Sequence, residues 1–210
     1  MAWDLTSRIV EGNRIRLEPL SNNHIPELCE CLLGEPDGWF SRMYGINSSE
    51  VLSGALENRL KANSDRKSVS FVSRDKASGK VAGISHFMRI DEPNRQLEIG
   101  GTQVGRYFRK THVNTENKFL MLREVFERLC AVRVFFKIDP ENIMSQQGIL
   151  RIGAKLEGEL RNDAILPDGR VRNYLIYSIV DSEWSGVKAQ LQRLMDRTAP
   201  IQRPERLLGE

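Results

Sequence analysis

Apolar and polar residues alternate in some stretches of this 210-residue chain and recur at helical spacing in others. Strict alternation at residues 14–18 predicts a strand with one buried face. In residues 114–130, Phe119, Leu122 and Phe126 recur three and four positions apart, which predicts a helix against a core. These patterns predict strands at 14–18, 68–74, 80–90, 95–104, 132–138, 154–162 and 170–180, and helices at 21–33, 48–60, 114–130, 140–152 and 184–194.

The order of these elements is β-α-α-β-β-β-α-β-α-β-β, followed by a C-terminal helix. It predicts an α/β (α+β) fold with a mixed central sheet of about seven strands. Short turns join the strands 68–74, 80–90 and 95–104 into an antiparallel meander. The apolar strand 132–138 follows a helix, so it should run parallel to 95–104 through a right-handed crossover. A splay between the carboxyl ends of these two strands would form a ligand cleft.

Composition and charge place the chain among ordinary globular proteins. It is 40% hydrophobic and 28% charged with a net charge of +3, which is too small to argue for nucleic acid. We expect one domain over residues 1–198 and a tail over 199–210. The chain shows neither a secretory leader nor an apolar run of about 18 residues, which predicts a soluble, cytoplasmic protein without a membrane partner. Cys29, Cys31 and Cys130 lack the spacing of a disulfide framework or a metal site.

A cationic segment leads from the strand 95–104 into the helix 114–130. Arg106, Arg109, Lys110 and His112 fall within seven residues there. The first N–H groups of a helix have no intrahelical partner, and the helix dipole adds partial positive charge. Such a segment suits a phosphate or pyrophosphate. It carries neither a Walker A motif nor a dinucleotide fingerprint, and a solvated basic turn explains the same residues.

Short motifs also follow one another in a recognisable order over about residues 13–190. They are Arg14-Ile15-Arg16-Leu17-Glu18-Pro19-Leu20, Leu97-Glu98-Ile99-Gly100, Asn114-Thr115-Glu116, Arg133-Val134, Asp139-x-x-Asn142-x-x-Ser145, Ile152-Gly153-Ala154, Glu157-Gly158-x-Leu160-Arg161, Asp168-Gly169-Arg170, Tyr177-Ser178-Ile179 and Glu183-Trp184. In this order they resemble the GNAT N-acetyltransferase superfamily. Within it, they are most similar to ribosomal-protein N-terminal acetyltransferases and related small-molecule acetyltransferases.

The resemblance implies acetyl-CoA (coenzyme A) as cofactor, with its pyrophosphate on the loop before the helix. The implied cofactor-binding residues are Gln103, Val104, Arg109, Lys110, Thr111, His112, Val113, Asn114, Thr115, Asn142 and Ser145. The family pattern has a glycine where this chain has His112 and a small residue where it has Asn114. Side chains there could block the phosphate or contact it. Asn142 could instead sit at the third helical position and reach back to a cap at Asp139.

The resemblance also implies direct acyl transfer from a thioester to an amine, which needs a proton acceptor. Glu98 is the candidate base because it should share one strand face with Gly100 and Thr102, although it could instead pair with an arginine. His86 is the second candidate. A main-chain N–H on the splayed strand should stabilise the oxyanion. Many family members place a tyrosine on the helix after the fifth strand; residues 142–152 contain none, so Ser145 is the substitute donor to the leaving thiolate.

The expected acceptor is a primary amine on a protein N-terminus, a peptide or a small molecule, and the expected assembly is a monomer or homodimer. No metal and no nucleic acid is expected. The loop 35–47 carries Trp39, Phe40 and Tyr44, which could cap the core or wall the acceptor pocket. A GNAT-fold protein that is not catalytic, or that binds another acyl-CoA such as succinyl-CoA, fits the same residues.

Overall fold

A mixed sheet of eight strands forms the centre of the molecule, whose computed structural model describes residues 3–4, 8–33, 45–166 and 169–197. The strands are β1 (Val10–Glu11), β2 (Ile15–Pro19), β3 (Val69–Asp75), β4 (Val81–Asp91), β5 (Gln96–Val104), β6 (Arg133–Ile138), β7 (Lys155–Ile165) and β8 (Val171–Val180). The helices are α1 (His24–Leu32), α2 (Ser49–Ser64), α3 (His112–Arg123), α4 (Ile143–Arg151) and α5 (Trp184–Arg197).

The predicted order and fold class are confirmed, with the two-residue strand β1 as an addition at the sheet edge. The predicted aromatic loop residues Trp39, Phe40 and Tyr44 and the tail 199–210 lie outside the described residues. The order across the sheet is β1-β2-β3-β4-β5-β6-β8-β7. Every neighbouring pair is antiparallel except β5 and β6, which run parallel as predicted.

The parallel pairing of β5 and β6 is short. It joins Gln96 to Arg133, Leu97 to Val134 and Glu98 to Phe135, and it ends there. Beyond this point β5 pairs only with β4, and β6 pairs only with β8. The two strands therefore separate toward their carboxyl ends, which opens the predicted cleft.

A β-bulge interrupts β5 inside this separated stretch. His86 of β4 pairs with Gly100, whereas Ile84 pairs with Gln103, so β5 carries one residue more than its partner. Gly101 has a φ of +57°, a conformation that glycine adopts without a Cβ penalty. The extra residue reverses the alternation of side chains. The prediction that Glu98 and Thr102 share one face is therefore wrong.

The helices cover the two faces of the sheet unequally. On one face, α1 and α2 pack against β3, β4 and β5 through a cluster that includes Leu28, Leu52 and Ile84. On the other face, a larger cluster includes residues of α3, α4 and α5, among them Leu120 and Ile149. On the face that α1 and α2 cover, β6 and β8 thus keep partly exposed side chains next to the cleft.

Helix α1 begins at His24 rather than at residue 21. Helices α3 and α4 also begin at residues other than those predicted, because local caps decide their starts. The Thr111 hydroxyl accepts a hydrogen bond from the Val113 N–H at 3.3 Å, so α3 begins at His112 rather than at residue 114. The Asn142 side chain accepts from the Ser145 N–H at 3.0 Å, so α4 begins at Ile143. Asn142 is the N-cap itself, and the predicted cap at Asp139 is wrong. Helix α3 continues into a π-helical turn over Glu124–Arg128.

The cysteines carry free thiols, with Cys29 buried and Cys130 exposed. Within the described ranges, no group of three or more His, Cys, Asp and Glu side chains is arranged to hold a metal ion. None of the helices in that part of the chain is long and apolar enough to cross a bilayer.

Candidate active site

The cleft between β5 and β6 is bounded by two helix N-termini. Strand β5 leads through a basic loop into α3, and β6 leads through a short turn into α4. Both turns follow the carboxyl ends of parallel strands, so they lie at the same edge of the sheet. The N–H groups of the first helical turns point outward at this edge, which gives the cleft an anion-binding wall.

The basic loop is held against the end of β5. Its Arg106–Phe108 segment forms one 3₁₀ turn, and the Arg109 Nε donates to the Val104 carbonyl at 3.1 Å. The Arg106 guanidinium stacks 4.3 Å from the centre of the Tyr107 ring. Lys110 is exposed and has a φ of +58°. The loop is therefore a defined turn that places three cationic residues, Arg106, Arg109 and Lys110, just before the start of α3.

His112 occupies the glycine position of the family pattern, but its side chain points into the protein. It is 3% exposed, and its Nε2 lies 3.5 Å from Asp75 Oδ1. Both ring nitrogens are buried without a hydrogen-bond partner among the described residues. Burial lowers the pKa of His112, although the charges of Glu116 and Asp75 act in the opposite direction. The imidazole neither obstructs a phosphate nor donates to one, and only the His112 main-chain N–H is left for that role.

Arg151 is a cation of this site that the sequence analysis missed. It ends α4, and its guanidinium donates to the Thr115 hydroxyl in the first turn of α3 at 2.9 Å. The two residues are 36 positions apart, so nothing in the local sequence indicates the contact. Arg151 adds a guanidinium, the group best suited to phosphate, beside the α3 N-terminus.

The predicted residues of α4 lie on the opposite wall of the cleft. The Asn142 side-chain oxygen is used to cap the helix. Ser145 is partly buried in the first turn of α4. The structure therefore places Ser145 and the predicted loop residues Arg109, Lys110 and Asn114 around one edge of the sheet.

Glu98 stands at the point where the two parallel strands separate. Its side chain is 4% exposed and forms an ion pair with Arg89. Burial raises the pKa of Glu98, while the charge and hydrogen bond of Arg89 partly offset this effect. A carboxylate with a raised pKa at the closed end of a cleft suits a proton acceptor. A buried ion pair can also serve structure alone.

His86, the second candidate base, is packed beneath the β-bulge. Its Nδ1 lies 2.8 Å from the Ser70 hydroxyl, and a Cβ added at Gly101 would come within 2.5 Å of its Cδ2. Burial, assisted by the charges of Arg59 and Lys118, lowers the pKa of His86 to about 3. The imidazole is therefore neutral and a weak base near pH 7, which favours Glu98 for proton transfer.

The comparisons with known proteins agree with this geometry. A family model described as "Acetyltransferase (GNAT) domain" matches residues 14–155. A GCN5-related N-acetyltransferase from Brucella melitensis is 32% identical with a TM-score of 0.80, over 92% of this chain and 86% of that chain. A structure from T. thermophilus, described as an acetyltransferase, is 33% identical with a TM-score of 0.80, over 92% of this chain and 99% of that one.

A more distant structure shares the fold alone. RimL, a ribosomal L7/L12 α-N-protein acetyltransferase in complex with coenzyme A, is 16% identical, with a TM-score of 0.70 over 83% of this chain and 99% of that one. None of the curated proteins matches the sequence significantly.

Proposed function

Since the chain belongs to the GNAT acetyltransferase family, we propose that it is an acetyl-CoA-dependent N-acetyltransferase that acts on a primary amine. The observation that carries the proposal is the cleft itself: β5 and β6 pair at only three positions, and the open stretch ends at the α3 N-terminus beside a cationic loop. Structures of the same fold, RimL with coenzyme A and the immunity acetyltransferase MccE with acetyl-CoA and AMP, support the choice of cofactor.

The residues present fit a CoA pyrophosphate. The N–H groups of His112, Asn114 and Thr115 would hold it at the start of α3, whereas the Val113 N–H donates to the Thr111 hydroxyl. Arg109, Lys110 and Arg151 would add charge. The buried His112 side chain leaves this approach open. The main chain of β5 at Gln103 and Val104 would bind the pantetheine arm along the edge that β6 leaves. When bound, acetyl-CoA supplies an activated thioester.

The chemistry assigned to this chain is proton transfer and charge stabilisation. Glu98, through water, takes the proton that the acceptor ammonium loses, so that a neutral amine attacks the thioester carbon. A main-chain N–H of the separated part of β5 donates to the carbonyl oxygen as negative charge develops there. Ser145 would donate a hydrogen bond, directly or through water, to the leaving sulfur of the bound thioester, which would take up the proton that the acylated nitrogen loses.

The acceptor approaches from the face opposite α3. Glu98 lies on that face together with Phe135, its partner across the parallel pair, and Lys137 of β6. Phe135 is partly exposed, whereas the Lys137 side chain is 8% exposed and pairs with Asp163. A chain terminus or a small amine would therefore approach past Phe135 and exchange its proton with the buried carboxylate through water. We propose a protein N-terminus, a peptide or a small amine as acceptor, a cytoplasmic location, and a monomer or homodimer as assembly.

One observation favours a second candidate. Helix α4 is described over its whole length and carries no tyrosine, the residue that many family members use to protonate the thiolate. A protein that binds another acyl-CoA, such as succinyl-CoA, or that binds without transfer, is consistent with this difference.

Calorimetric titration with acetyl-CoA tests the proposal. We expect micromolar binding by the unchanged protein and at least tenfold weaker binding by Arg109→Ala plus Lys110→Ala, about 1.4 kcal/mol. Lys61→Ala plus Lys67→Ala is the matched control, because it removes two exposed lysines at the opposite end of the sheet. An assay of free thiol release then screens primary amines. Failure to bind acetyl-CoA, succinyl-CoA and free CoA would refute the enzyme proposal.

A further inference from the structure

Lys118 of α3 is a buried lysine that the chemistry proposed above leaves unused. It is 5% exposed, and its Nζ donates to the Thr102 hydroxyl of β5. Among the described carboxylates, none forms an ion pair with it. Burying an amine that is not paired with a carboxylate is costly, so a buried lysine of this kind is a candidate for a role beyond packing.

The lysine is the end of a buried hydrogen-bonded network. Thr102 Oγ1 and Ser85 Oγ lie 2.9 Å apart, and the Ser85 hydroxyl donates to Asn117 Oδ1 at 3.1 Å. The Asn117 amide donates to the Ser73 hydroxyl at 2.9 Å. The network joins three adjacent strands to α3, so the position of Thr102 depends on side chains of all four elements.

Thr102 connects this network to the cleft. It follows Gly101 of the β-bulge and precedes Gln103, in the stretch of β5 that has no β6 partner. Lys118 is also close to the anion wall along its own helix. At a rise of about 1.5 Å per residue, it lies about 4 to 9 Å along the axis from residues 112–115. An anion bound there favours the protonated form of the lysine.

We propose that Lys118 is a positioning residue of the cofactor site, which takes up a proton when CoA binds and, as the ammonium, holds Thr102 and the bulged end of β5 in the binding geometry. This inference rests on the proposed function. Burial lowers the pKa of Lys118 to about 7. The free protein at pH 8 is then mostly in the amine form, and the bound protein is in the ammonium form.

The charged residues near Lys118 are not expected to take up a proton in the same pH range. His86, on the far side of β4, is already neutral, because its pKa is about 3. Glu116 on the same helix accepts from the Arg14 N–H at 2.9 Å, away from β5. Arg151 lies one helical turn away, where its guanidinium donates to the Thr115 hydroxyl. Burial also lowers the pKa of His112, at the start of the same helix, below its usual value. Lys118 is therefore the group near the anion wall expected to titrate between pH 6 and 8.

The test measures proton uptake by calorimetry of CoA binding in pairs of buffers whose ionisation enthalpies differ, HEPES and Tris at pH 8 and MES and imidazole at pH 6. At pH 8 we expect the unchanged protein to take up about 0.5 to 1 proton more than Lys118→Met, and at pH 6 no difference. Lys155→Met, at an exposed strand position, is the control and should match the unchanged protein. Protonation of the CoA phosphates contributes equally to all three proteins.

Equal uptake by the unchanged protein and Lys118→Met at pH 8 would overturn the inference. If that variant does not fold or bind, the unchanged protein alone decides. Its dissociation constant should rise about three- to tenfold from pH 7.5 to 8.5, and a constant value would refute the coupling. Failure of the unchanged protein to bind CoA at any pH would refute the proposed function instead.

Discussion

Gly101→Ala should destabilise the protein by about 3 kcal/mol, because two independent costs meet at this residue. Its φ of +57° costs a non-glycine residue about 1–2 kcal/mol. The added Cβ would also lie 2.5 Å from His86 Cδ2. The imidazole is 4% exposed and held 2.8 Å from the Ser70 hydroxyl, so it cannot swing aside into solvent. Overpacking of this kind costs about 1–3 kcal/mol.

Two matched variants separate these costs. Gly79→Ala carries the same backbone cost at a φ of +69°, but its added Cβ meets no atom within 4 Å, so it should lose only about 1–2 kcal/mol. On a His86→Ala background, Gly101→Ala should likewise cost about 1–2 kcal/mol, since the clashing atom is gone. Urea unfolding followed by circular dichroism measures the free energy of unfolding in each case. Equal costs of Gly101→Ala on both backgrounds would refute the steric argument.

Three further predictions concern catalysis, binding and acid stability. Glu98→Gln should lower kcat/KM about 10²–10⁴-fold with little change in CoA affinity. In the unchanged protein, the apparent pKa of the acid limb of the pH–rate profile should lie above the usual range for glutamate, because burial raises the pKa of Glu98. Arg151→Ala should weaken CoA binding about tenfold by calorimetry, whereas Arg151→Lys should weaken it less. Burial alone would raise the pKa of Glu18, but hydrogen bonds from Arg74 and two other basic side chains outweigh it and lower the pKa. The ionised carboxylate therefore stabilises the folded state above about pH 4.5, and this contribution is lost as the pH falls below that value. Glu18→Gln should accordingly reduce the fall in the urea midpoint between pH 6 and pH 3.

Sequence patterns predicted the long strands and helices well because buried apolar residues recur at a regular spacing along them. The apolar residues of the strand 132–138 and the helix before it are enough to predict a crossover and a parallel pair. Helix starts were less accurate, because a single hydroxyl or amide decides them. Thr111 moved the start of α3 by two residues, and Asn142 replaced Asp139 as the cap of α4. Several residues in each region can cap, and only the folded geometry selects one.

The site was predicted only where local sequence determines it. The cationic loop was found because its residues are adjacent in sequence, whereas Arg151 reaches Thr115 across 36 positions. His112 was expected among the phosphate contacts, yet the first turn of α3 turns its ring toward Asp75. The β-bulge was missed because side chains were expected to alternate strictly between the two faces of the sheet through Gly101. One extra residue moves every later side chain of β5 to the opposite face.

Because of that reversal, β5 presents side chains to the acceptor amine on one face of the sheet and to the cofactor site on the other. Before the bulge, Glu98 faces the side of the sheet that α1 and α2 leave partly open at β6. After it, Thr102 faces α3 and Lys118, on the side where the helix N-terminus offers an anion site. A regular strand would place both side chains on one face, so that the acceptor and the cofactor would compete for it. The gap left by the short β5–β6 pairing then joins the two faces at the point where the acyl group would pass from sulfur to nitrogen.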